Sequence, residues 1–283
     1  MANRTWGAGM ISCASKLCRL VVITALAALG VPAVGADEAP LVFGVLNQQS
    51  PQLTAERWNP ILAYLERHTG LEFQLRLAPN VQATNARMAS GEYDLLFTNH
   101  NFRPMYDGTY RVLARWGDKP IFGVIAVPKD SPIKTLAQLR GRRVAYPSES
   151  AFVAYAVPKV ALRAANVKEE EVFAGNQEGA LAQLTGGLVD AAGVNSRYLT
   201  QYAARKNFAY RELFTSEPYP DLAVVAHPRL AEAQVDAVRA ALLRMKDDPD
   251  AQPILESNQF SGFWPAAERD YDGVRRAYRL LGP

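Results

Sequence analysis

Cysteine and histidine are scarce in this sequence. Its 283 residues include two cysteines and three histidines. Cys13 and Cys18 both precede an apolar N-terminal run, and the histidines His68, His100 and His227 lack the spacing of metal ligands. We therefore expect no disulfide in the mature chain, no metal site and no cofactor. The three histidines are interpreted, in order, as a solvated helix end, a loop residue and the residue before a proline.

Catalytic signatures are also missing. The sequence has no Gly-x-Ser-x-Gly elbow, no Walker loop and no Gly-x-Gly-x-x-Gly after a strand. A run of three glutamates, Glu169–Glu171, is a candidate pair of catalytic carboxylates, but we interpret it as a solvated loop because runs of like charge repel and hydrate. We predict no catalytic residue, and an enzyme is the less favoured class.

Long hydrophobic runs are confined to the N-terminus. The apolar stretch Leu20–Leu29 follows basic residues and precedes small ones, which is typical of a secretory signal peptide cleaved near Gly35 or Ala36. We assign residues 1–36 to this signal peptide and expect the product in the periplasm. Its removal takes away Arg4, Lys16 and Arg19, which brings the formal net charge of +3 to zero. The basic composition of the full sequence is therefore no sign of nucleic-acid binding, and we expect no nucleic-acid partner.

The remaining chain alternates between strand and helix patterns, which indicates an α/β protein. The stretch Arg143–Phe152 is typical of a strand, a tight turn and a helix start, with Ser148 and Ser150 as candidate N-caps of a helix over residues 151–166. The free amides and dipole of such a helix start bind anions. The alternative is an ordinary capped helix without a ligand.

Other segments supply a second helix start and two candidate hinges. Leu41–Leu46 predicts a strand, and Ser50 followed by Pro51 predicts the start of the next helix. A polar cluster, residues 98–101, follows a strand, where open α/β sheets place ligands. Polar breaks near residues 117–120 and 216–221 favour hinge crossings, and we expect the helical tail to pack on the first lobe.

Several sequence blocks follow one another in an order typical of a known family. The blocks are Phe43–Pro51, Arg57–Pro60, Leu65–Gly70, Gly91–Phe97, Lys129–Ile133, Leu139–Val144, Tyr146–Phe152, Gly187–Asn195 and Ala226–Pro228. They resemble the phosphate, phosphite and phosphonate-binding periplasmic proteins of ABC importers. The blocks cover nearly the whole mature chain in that family's order, and together they are more specific than any one of them.

The resemblance implies a two-lobed type II periplasmic binding protein fold, in which each lobe is a central mixed β-sheet flanked by helices and two hinge crossings join the lobes. Residues 37–120 and 222–283 would form lobe 1, and residues 121–221 lobe 2. The implied function is capture of a small oxyanion and its delivery to a membrane ABC permease by a monomer. The alternative partner is the periplasmic domain of a sensor kinase.

The resemblance also implies a ligand site. Ser148, Ser150 and the amide of Ala151 would hold the oxyanion, and Asp221 is placed for an amine on the ligand. The other candidate ligand-binding residues are Gln48, Thr98, Asn99, Asn176, which stands where many members have histidine, and Asn195. Glu149 departs from the pattern, because an acid in the anion loop would repel the ligand. Either Glu149 points to solvent or the ligand is not a simple phosphonate.

Overall fold

Two β-sheets organise the part of the chain described by the structure, which is a computed structural model and describes residues 39–282. The predicted signal peptide lies outside these residues. The strands are β1 (Leu41–Val45), β2 (Phe73–Arg76), β3 (Leu95–Thr98), β4 (Arg111–Trp116), β5 (Gly123–Pro128), β6 (Arg143–Tyr146), β7 (Glu170–Phe173), β8 (Ala191–Asn195), β9 (Tyr210–Thr215), β10 (Ala223–Ala226) and β11 (Phe263–Trp264).

Helices cover both sheets. The α-helices are α1 (Pro51–Thr69), α2 (Val81–Ala89), α3 (Val157–Ala164), α4 (Gln177–Thr185), α5 (Ser196–Lys206), α6 (Glu232–Arg244), α7 (Gln252–Ser257) and α8 (Asp272–Leu281). Short 3-10 helices span His100–Phe102, Leu136–Leu139, Met245–Asp247, Pro249–Ala251 and Glu268–Tyr271. A single π-helical turn, Phe152–Ala156, leads into α3 and is called the π-turn below. None of the helices in the described residues has the length and apolar character that a membrane span needs.

Each sheet is mixed, as predicted. The first has six strands in the order β11-β4-β10-β3-β1-β2, and the second has five in the order β7-β6-β8-β5-β9. Strand β1 is parallel to β2 and β3, and β6 is parallel to β7 and β8, whereas β10 and β5 pair antiparallel with their neighbours. The loops that follow β1, β3, β6 and β8 leave strand carboxyl ends, which is where α/β sheets bind ligands.

The chain crosses between the sheets twice along adjacent paths. One crossing joins β4 to β5 and the other joins β9 to β10. They pair through a single antiparallel bridge, in which the amides of Ile121 and Tyr219 each donate to the other residue's carbonyl at 2.8 and 2.9 Å. The boundaries expected at 120/121 and 221/222 fall within these crossings, and the division into two moving lobes stays a prediction.

Helix α1 begins and ends as its sequence predicts. The Ser50 Oγ accepts a hydrogen bond from the Leu53 amide at 3.3 Å, and Gly70 ends the helix with a positive φ of 71°. Trp58 on its inner face packs among Phe43, Phe97 and other aromatic rings of the first sheet. The face of α1 that carries Trp58 therefore lies in the core.

The predicted helix over residues 151–166 begins differently. Its first turn is the π-turn, and the residue before it is Ala151, which has no side-chain acceptor to cap it. The expected capping by Ser148 or Ser150 is therefore wrong. Pro158 has no N–H to donate to the Ala154 carbonyl, so a regular α-helical turn cannot close at this point. The wider π-turn accommodates that missing hydrogen bond.

Two glycines let the π-turn lie directly on the second sheet. A Cβ at Gly123 would come within 2.1 Å of the Val153 carbonyl oxygen. A Cβ at Gly193 would come within 2.7 Å of the Ala154 carbonyl oxygen and 2.4 Å of the Tyr146 ring. Any side chain at either position would push the π-turn away from β5 and β8, so these glycines set its position.

The helical tail divides between the two sheets. Helix α6 packs against α1 and β4 as expected, but α8 packs against α3 and the π-turn. The Tyr278 ring lies 5.1 Å from that of Phe152, and its hydroxyl donates to the Ser150 carbonyl at 3.0 Å. Helix α8 also contacts the 3-10 helix His100–Phe102, and Arg275 forms an ion pair with Asp107, so α8 packs on both sides and not on the first lobe alone.

The acidic run Glu169–Glu171 is solvated only in part, because Glu170 and Glu171 are exposed on β7 whereas Glu169 is buried. The Glu169 side chain is fully buried, and Lys159 of α3 lies 2.7 Å from its carboxylate and also pairs with Glu171. The hydroxyl groups of Tyr146 and Tyr155 donate to these two carboxylates at 3.0 and 3.1 Å. The ion pair with Lys159 offsets the cost of burying Glu169, so the charge run alone predicted the wrong environment for that residue.

Candidate functional site

A neutral cavity lies where loops from the two sheets meet. It encloses about 400 Å³ of space, its open mouth included. We call it the amide cavity, because amide side chains, hydroxyl groups and the beginning of the π-turn line it. Its polar lining side chains are those of Asn47, Gln48, Asn99, His100, Ser148, Gln177 and Asn195, and its backbone wall is Ala151–Ala154.

The amide cavity holds no formal charge. Among its lining residues in the described structure, His100 is the only one of a type that ordinarily titrates near neutral pH, and it is 2% exposed. Burial, reinforced by the Arg103 guanidinium, lowers the pKa of His100 to about 3. Its Nδ1–H donates to the Asn85 Oδ1 at 2.9 Å, which suits a neutral ring. The interpretation of His100 as an ordinary loop residue is therefore wrong.

The first residues of the π-turn line this cavity, and their amides precede the first hydrogen bond of the turn. Its first hydrogen bond runs from the Ala156 amide to the Ala151 carbonyl at 3.0 Å, so the amides of residues 152–155 precede it. Residues 151–154 line the cavity. The Ala151 amide itself donates to the Ser148 carbonyl at 3.2 Å, so it is less available than the amides that follow. A helix start of this kind offers donors to an oxyanion.

The two serines of the predicted anion loop have different surroundings. Ser148 is buried and lines the amide cavity. Ser150 lies behind the cavity wall, where its Oγ accepts hydrogen bonds from Arg103 at 2.9 Å and from Asn85 at 3.1 Å. Arg103 and Asn85 belong to the first-sheet side of the amide cavity and Ser150 belongs to the second-sheet side. These hydrogen bonds therefore join the two sides. The sequence grouped these serines, whereas the structure separates them.

Two other candidates have structural partners. The Thr98 Oγ1 accepts a hydrogen bond from the His100 amide at 3.0 Å. The Asn176 side chain caps α4 by accepting from the Gly179 amide at 2.8 Å. Neither lines the amide cavity, so both lie behind the residues that do.

Glu149 points away from the amide cavity and from the larger cavity that adjoins it. Its side chain is exposed, and it is absent from the lining of the amide cavity and of its neighbour in the described structure. Of the two alternatives that the sequence left open, the structure supports a Glu149 that faces solvent. The acid in the anion loop therefore sets no constraint on the charge of the ligand.

A second cavity, which we call the arginine cavity, adjoins the first. It encloses about 620 Å³, its open mouth included, and the two cavities share Leu46, Gln48 and Asn195. Its charged lining residues are Arg57, Arg197 and Asp221. The Tyr198 hydroxyl donates to the Gln48 Oε1 at 3.1 Å, which connects α5 to the loop after β1. Burial raises the pKa of Tyr198 to about 12, so it remains a neutral donor.

Asp221 is already paired. Its carboxylate forms an ion pair with Arg197 and accepts a hydrogen bond from the Leu222 amide at 2.8 Å. Burial raises the pKa of this carboxyl, although the Arg197 guanidinium opposes that effect. The structure therefore does not present Asp221 as a free acid for a ligand amine.

Sequence reasoning missed the residues that act through distant partners. They are Arg57, Asn85, His100, Arg103, Arg197 and Tyr198. His100 stood within the predicted polar cluster, and Arg103 follows that cluster directly, so both carried a weak signal. The others lie on helices whose patterns show only which face is polar.

The sequence matches a known protein family and is similar to a named protein. Residues 43–271 match the family described as the ABC transporter, phosphonate, periplasmic substrate-binding protein. The chain is 24% identical over 259 residues to the phosphonates-binding periplasmic protein of Escherichia coli, covering 85% of this chain and 76% of that one.

Solved structures show the same fold at lower identity. A Prochlorococcus marinus protein in complex with methylphosphonate has a TM-score of 0.76 at 18% identity, covering 85% of this chain and 97% of that one. A binding protein component of a Pseudomonas aeruginosa ABC phosphonate transporter has a TM-score of 0.77 at 16% identity, covering 87% of each chain. The fold is that of the type II periplasmic binding proteins, as predicted. The chain belongs to the family of periplasmic substrate-binding proteins of phosphonate ABC transporters.

Proposed function

We propose that this protein captures a phosphonate, or a closely related small oxyanion, in the amide cavity and delivers it to the permease of an ABC importer. The observation that carries the proposal is the neutrality of a buried cavity rich in hydrogen-bond donors. Neutral donors bind oxyanions tightly because a hydrogen bond to a charged acceptor is about twice as strong as one between neutral groups. Family membership and the methylphosphonate complex of a structural neighbour support the same ligand class.

Two sides of the cavity have different tasks in this proposal. On the second-sheet side, the Ser148 hydroxyl and the amides of residues 152–154 bind the anionic oxygens. On the first-sheet side, Gln48 and Asn99 approach the same group from across the cleft, and Asn195 lies at the end of β8 beside them. Thr98, Ser150, Ala151 and Asn176 hold these donors in place through the hydrogen bonds described above.

The remaining expectations about assembly belong to the same proposal. Residues 37–120 with 222–283 form one lobe and residues 121–221 the other, and they close about the paired crossings. The protein is exported by a signal peptide cleaved near Gly35 or Ala36 and acts as a monomer. Its named relatives are binding proteins of importers, which supports a permease as partner. They provide no support for a sensor kinase, and the absence of catalysis stays a prediction.

Removal of one hydroxyl tests the site. We expect Ser148→Ala to weaken methylphosphonate binding by about 10- to 100-fold, because a hydrogen bond to a charged group contributes about 1.5–3 kcal/mol. Titration calorimetry measures the affinity for methylphosphonate, phosphite, phosphate, aminoethylphosphonate and sulfate. Ser90→Ala removes an exposed hydroxyl outside both cavities and serves as the matched control, with unchanged affinity.

The result can contradict the proposal in two ways. If the wild-type protein binds none of these anions, the ligand class is wrong. If Ser148→Ala and Ser90→Ala bind methylphosphonate equally well, the ligand is held elsewhere and the amide cavity is not the site.

A further inference from the structure

The arginine cavity has no task in the proposed anion site. It lies beside the amide cavity and shares Leu46, Gln48 and Asn195 with it. Its floor includes the apolar rings of Trp58 and Phe97, and its rim carries arginine side chains. A ligand whose oxyanion occupies the amide cavity can therefore extend past Gln48 into a compartment of different chemistry.

The charges of this compartment are unbalanced toward positive. Arg197 is paired with Asp221, which is 3% exposed. Arg57 donates to the neutral Gln49 Oε1 at 2.9 Å, and no carboxylate in residues 39–282 forms an ion pair with it. The lining thus holds two guanidinium groups against one carboxylate.

The unused N–H groups of the two arginines also favour a negatively charged ligand group. Each guanidinium presents five N–H groups in a planar fork that matches a carboxylate. Only part of these N–H groups is used by Gln49 and Asp221. One acceptor, the Asn258 Oδ1, is buried without a donor among the described residues that line the cavity. This oxygen would accept a hydrogen bond from a ligand donor, but a ligand ammonium group in the cavity would also meet two guanidinium groups and no unpaired carboxylate.

We propose that the ligand carries a second acidic group, and that Arg57 and Arg197 bind this group in the arginine cavity while the amide cavity holds the phosphonate. The substrate class is then the phosphonocarboxylates, in which a short methylene chain joins the two acids. The chain would pass Gln48 and Asn195 and pack against Trp58 and Phe97. This inference rests on the proposed function, because it assumes that a phosphonate occupies the amide cavity.

Four ligands separate the contributions of charge and chain length. They are methylphosphonate, propylphosphonate, phosphonopropionate and aminoethylphosphonate, each titrated into the wild-type protein. We expect phosphonopropionate to bind at least about tenfold more tightly than propylphosphonate, as one charge-assisted contact gives. Aminoethylphosphonate should bind more weakly than methylphosphonate because its ammonium group faces two guanidinium groups.

Variants of Arg57 test whether the arginine cavity causes the higher affinity for phosphonopropionate. Arg57→Gln should remove the roughly tenfold advantage of phosphonopropionate and leave the methylphosphonate affinity within about threefold, whereas Arg57→Lys should retain part of the advantage. Arg205→Gln is the matched control, because Arg205 is on α5, half-exposed, pairs with Glu178 and lies outside the cavity. An unchanged methylphosphonate affinity also shows that each variant is folded.

Three other outcomes would contradict either this inference or the proposed function. If methylphosphonate binds but phosphonopropionate gains nothing over propylphosphonate, or aminoethylphosphonate binds most tightly, the second acidic group is refuted and the proposed function stands. An advantage that survives Arg57→Gln and Arg197→Gln together also overturns the assignment to these arginines. If none of the four ligands binds, the proposed function itself fails and this inference fails with it.

Discussion

The amide cavity and the arginine cavity share a wall but offer different means of binding. The first is lined by backbone and by neutral side chains, most of which are buried, while Asn47 and Gln48 are partly exposed. The second carries three charged side chains, and Arg197 keeps about a third of its side chain exposed to solvent. Burial of an unpaired charge costs several kcal/mol, whereas a partly solvated charge costs much less.

Under the proposed function, the difference between the cavities would separate capture of the ligand from discrimination among ligands. Backbone amides recognise any suitable oxyanion, because their position is set by Gly123 and Gly193 rather than by a side chain that responds to the ligand. Charged side chains in the adjoining cavity would recognise what is attached to that oxyanion. Affinity for the shared group should therefore follow the amide cavity, and preference among ligands should follow the arginine cavity.

One added charge in each cavity should have the largest effect and the sharpest contrast. Asn99→Asp places a carboxylate in the amide cavity, where repulsion of the anion should weaken methylphosphonate binding at least about 100-fold. Gln49→Glu turns the hydrogen bond with Arg57 into an ion pair. It should leave methylphosphonate binding within about threefold and reduce phosphonopropionate binding about tenfold.

Calorimetry of both variants with both ligands completes this comparison, and thermal melting checks that each variant is folded. Equal losses of methylphosphonate affinity in the two variants would mean that the cavities form one undivided site. A loss in Gln49→Glu alone would place the phosphonate in the arginine cavity.

Histidine titration should have the next largest effect, and it concerns the amide cavity alone. The pKa of His100 is lowered to about 3 by burial, against about 6.5 in an unfolded chain. The unfolded state therefore binds a proton that the folded state rejects, so stability is complete above about pH 6.5 and falls as pH decreases toward 3. Between pH 7 and 5 the loss should be about 2 kcal/mol.

Urea unfolding of the wild type and of His100→Gln at pH 7, 6 and 5 measures this loss. Asp221, whose pKa is raised by burial, acts in the opposite direction, but both proteins contain it and its effect cancels in the difference. The wild type should lose about 2 kcal/mol more than the variant. Parallel slopes in the two proteins would show that His100 is protonated as easily in the folded state as in the unfolded one.

The two helix starts show how far the sequence predicts the fold. Ser50 caps α1 as expected, because the cap, the proline and the first turn are neighbours in sequence. The same local pattern at Ser148 and Ser150 predicted a capped helix and was wrong. At that position distant residues decide: Arg103 and Asn85 bind Ser150, and Gly193 admits the π-turn.

The site was predictable to a similar extent. The loops after β1, β3, β6 and β8 follow from the strand pattern, and they brought Gln48, Asn99, Ser148 and Asn195 to one cavity. The role of Asp221 did not follow from its position, because its partner Arg197 lies on a different element. Long-range ion pairs leave no periodic signal in a sequence, and these pairs determine the charge of the second cavity.

The smallest expected effects come from two tyrosines that brace different walls. The Tyr278 hydroxyl donates to the Ser150 carbonyl behind the amide cavity, and the Tyr198 hydroxyl donates to Gln48 in the shared wall. Tyr278→Phe and Tyr198→Phe should each cost about 1 kcal/mol of stability, the usual net contribution of one such hydrogen bond, as urea unfolding measures.

Their effects on ligand preference should differ even though their effects on stability are alike. Tyr278→Phe loosens only the amide cavity, which both ligands use, so the ratio of phosphonopropionate to methylphosphonate affinity should not change. Tyr198→Phe releases Gln48, which lies between the cavities, so that ratio should fall by less than about fivefold. A change of ratio in Tyr278→Phe would instead show that the wall behind Ser150 also positions the arginine cavity. In that case capture and discrimination would depend on the same part of the structure.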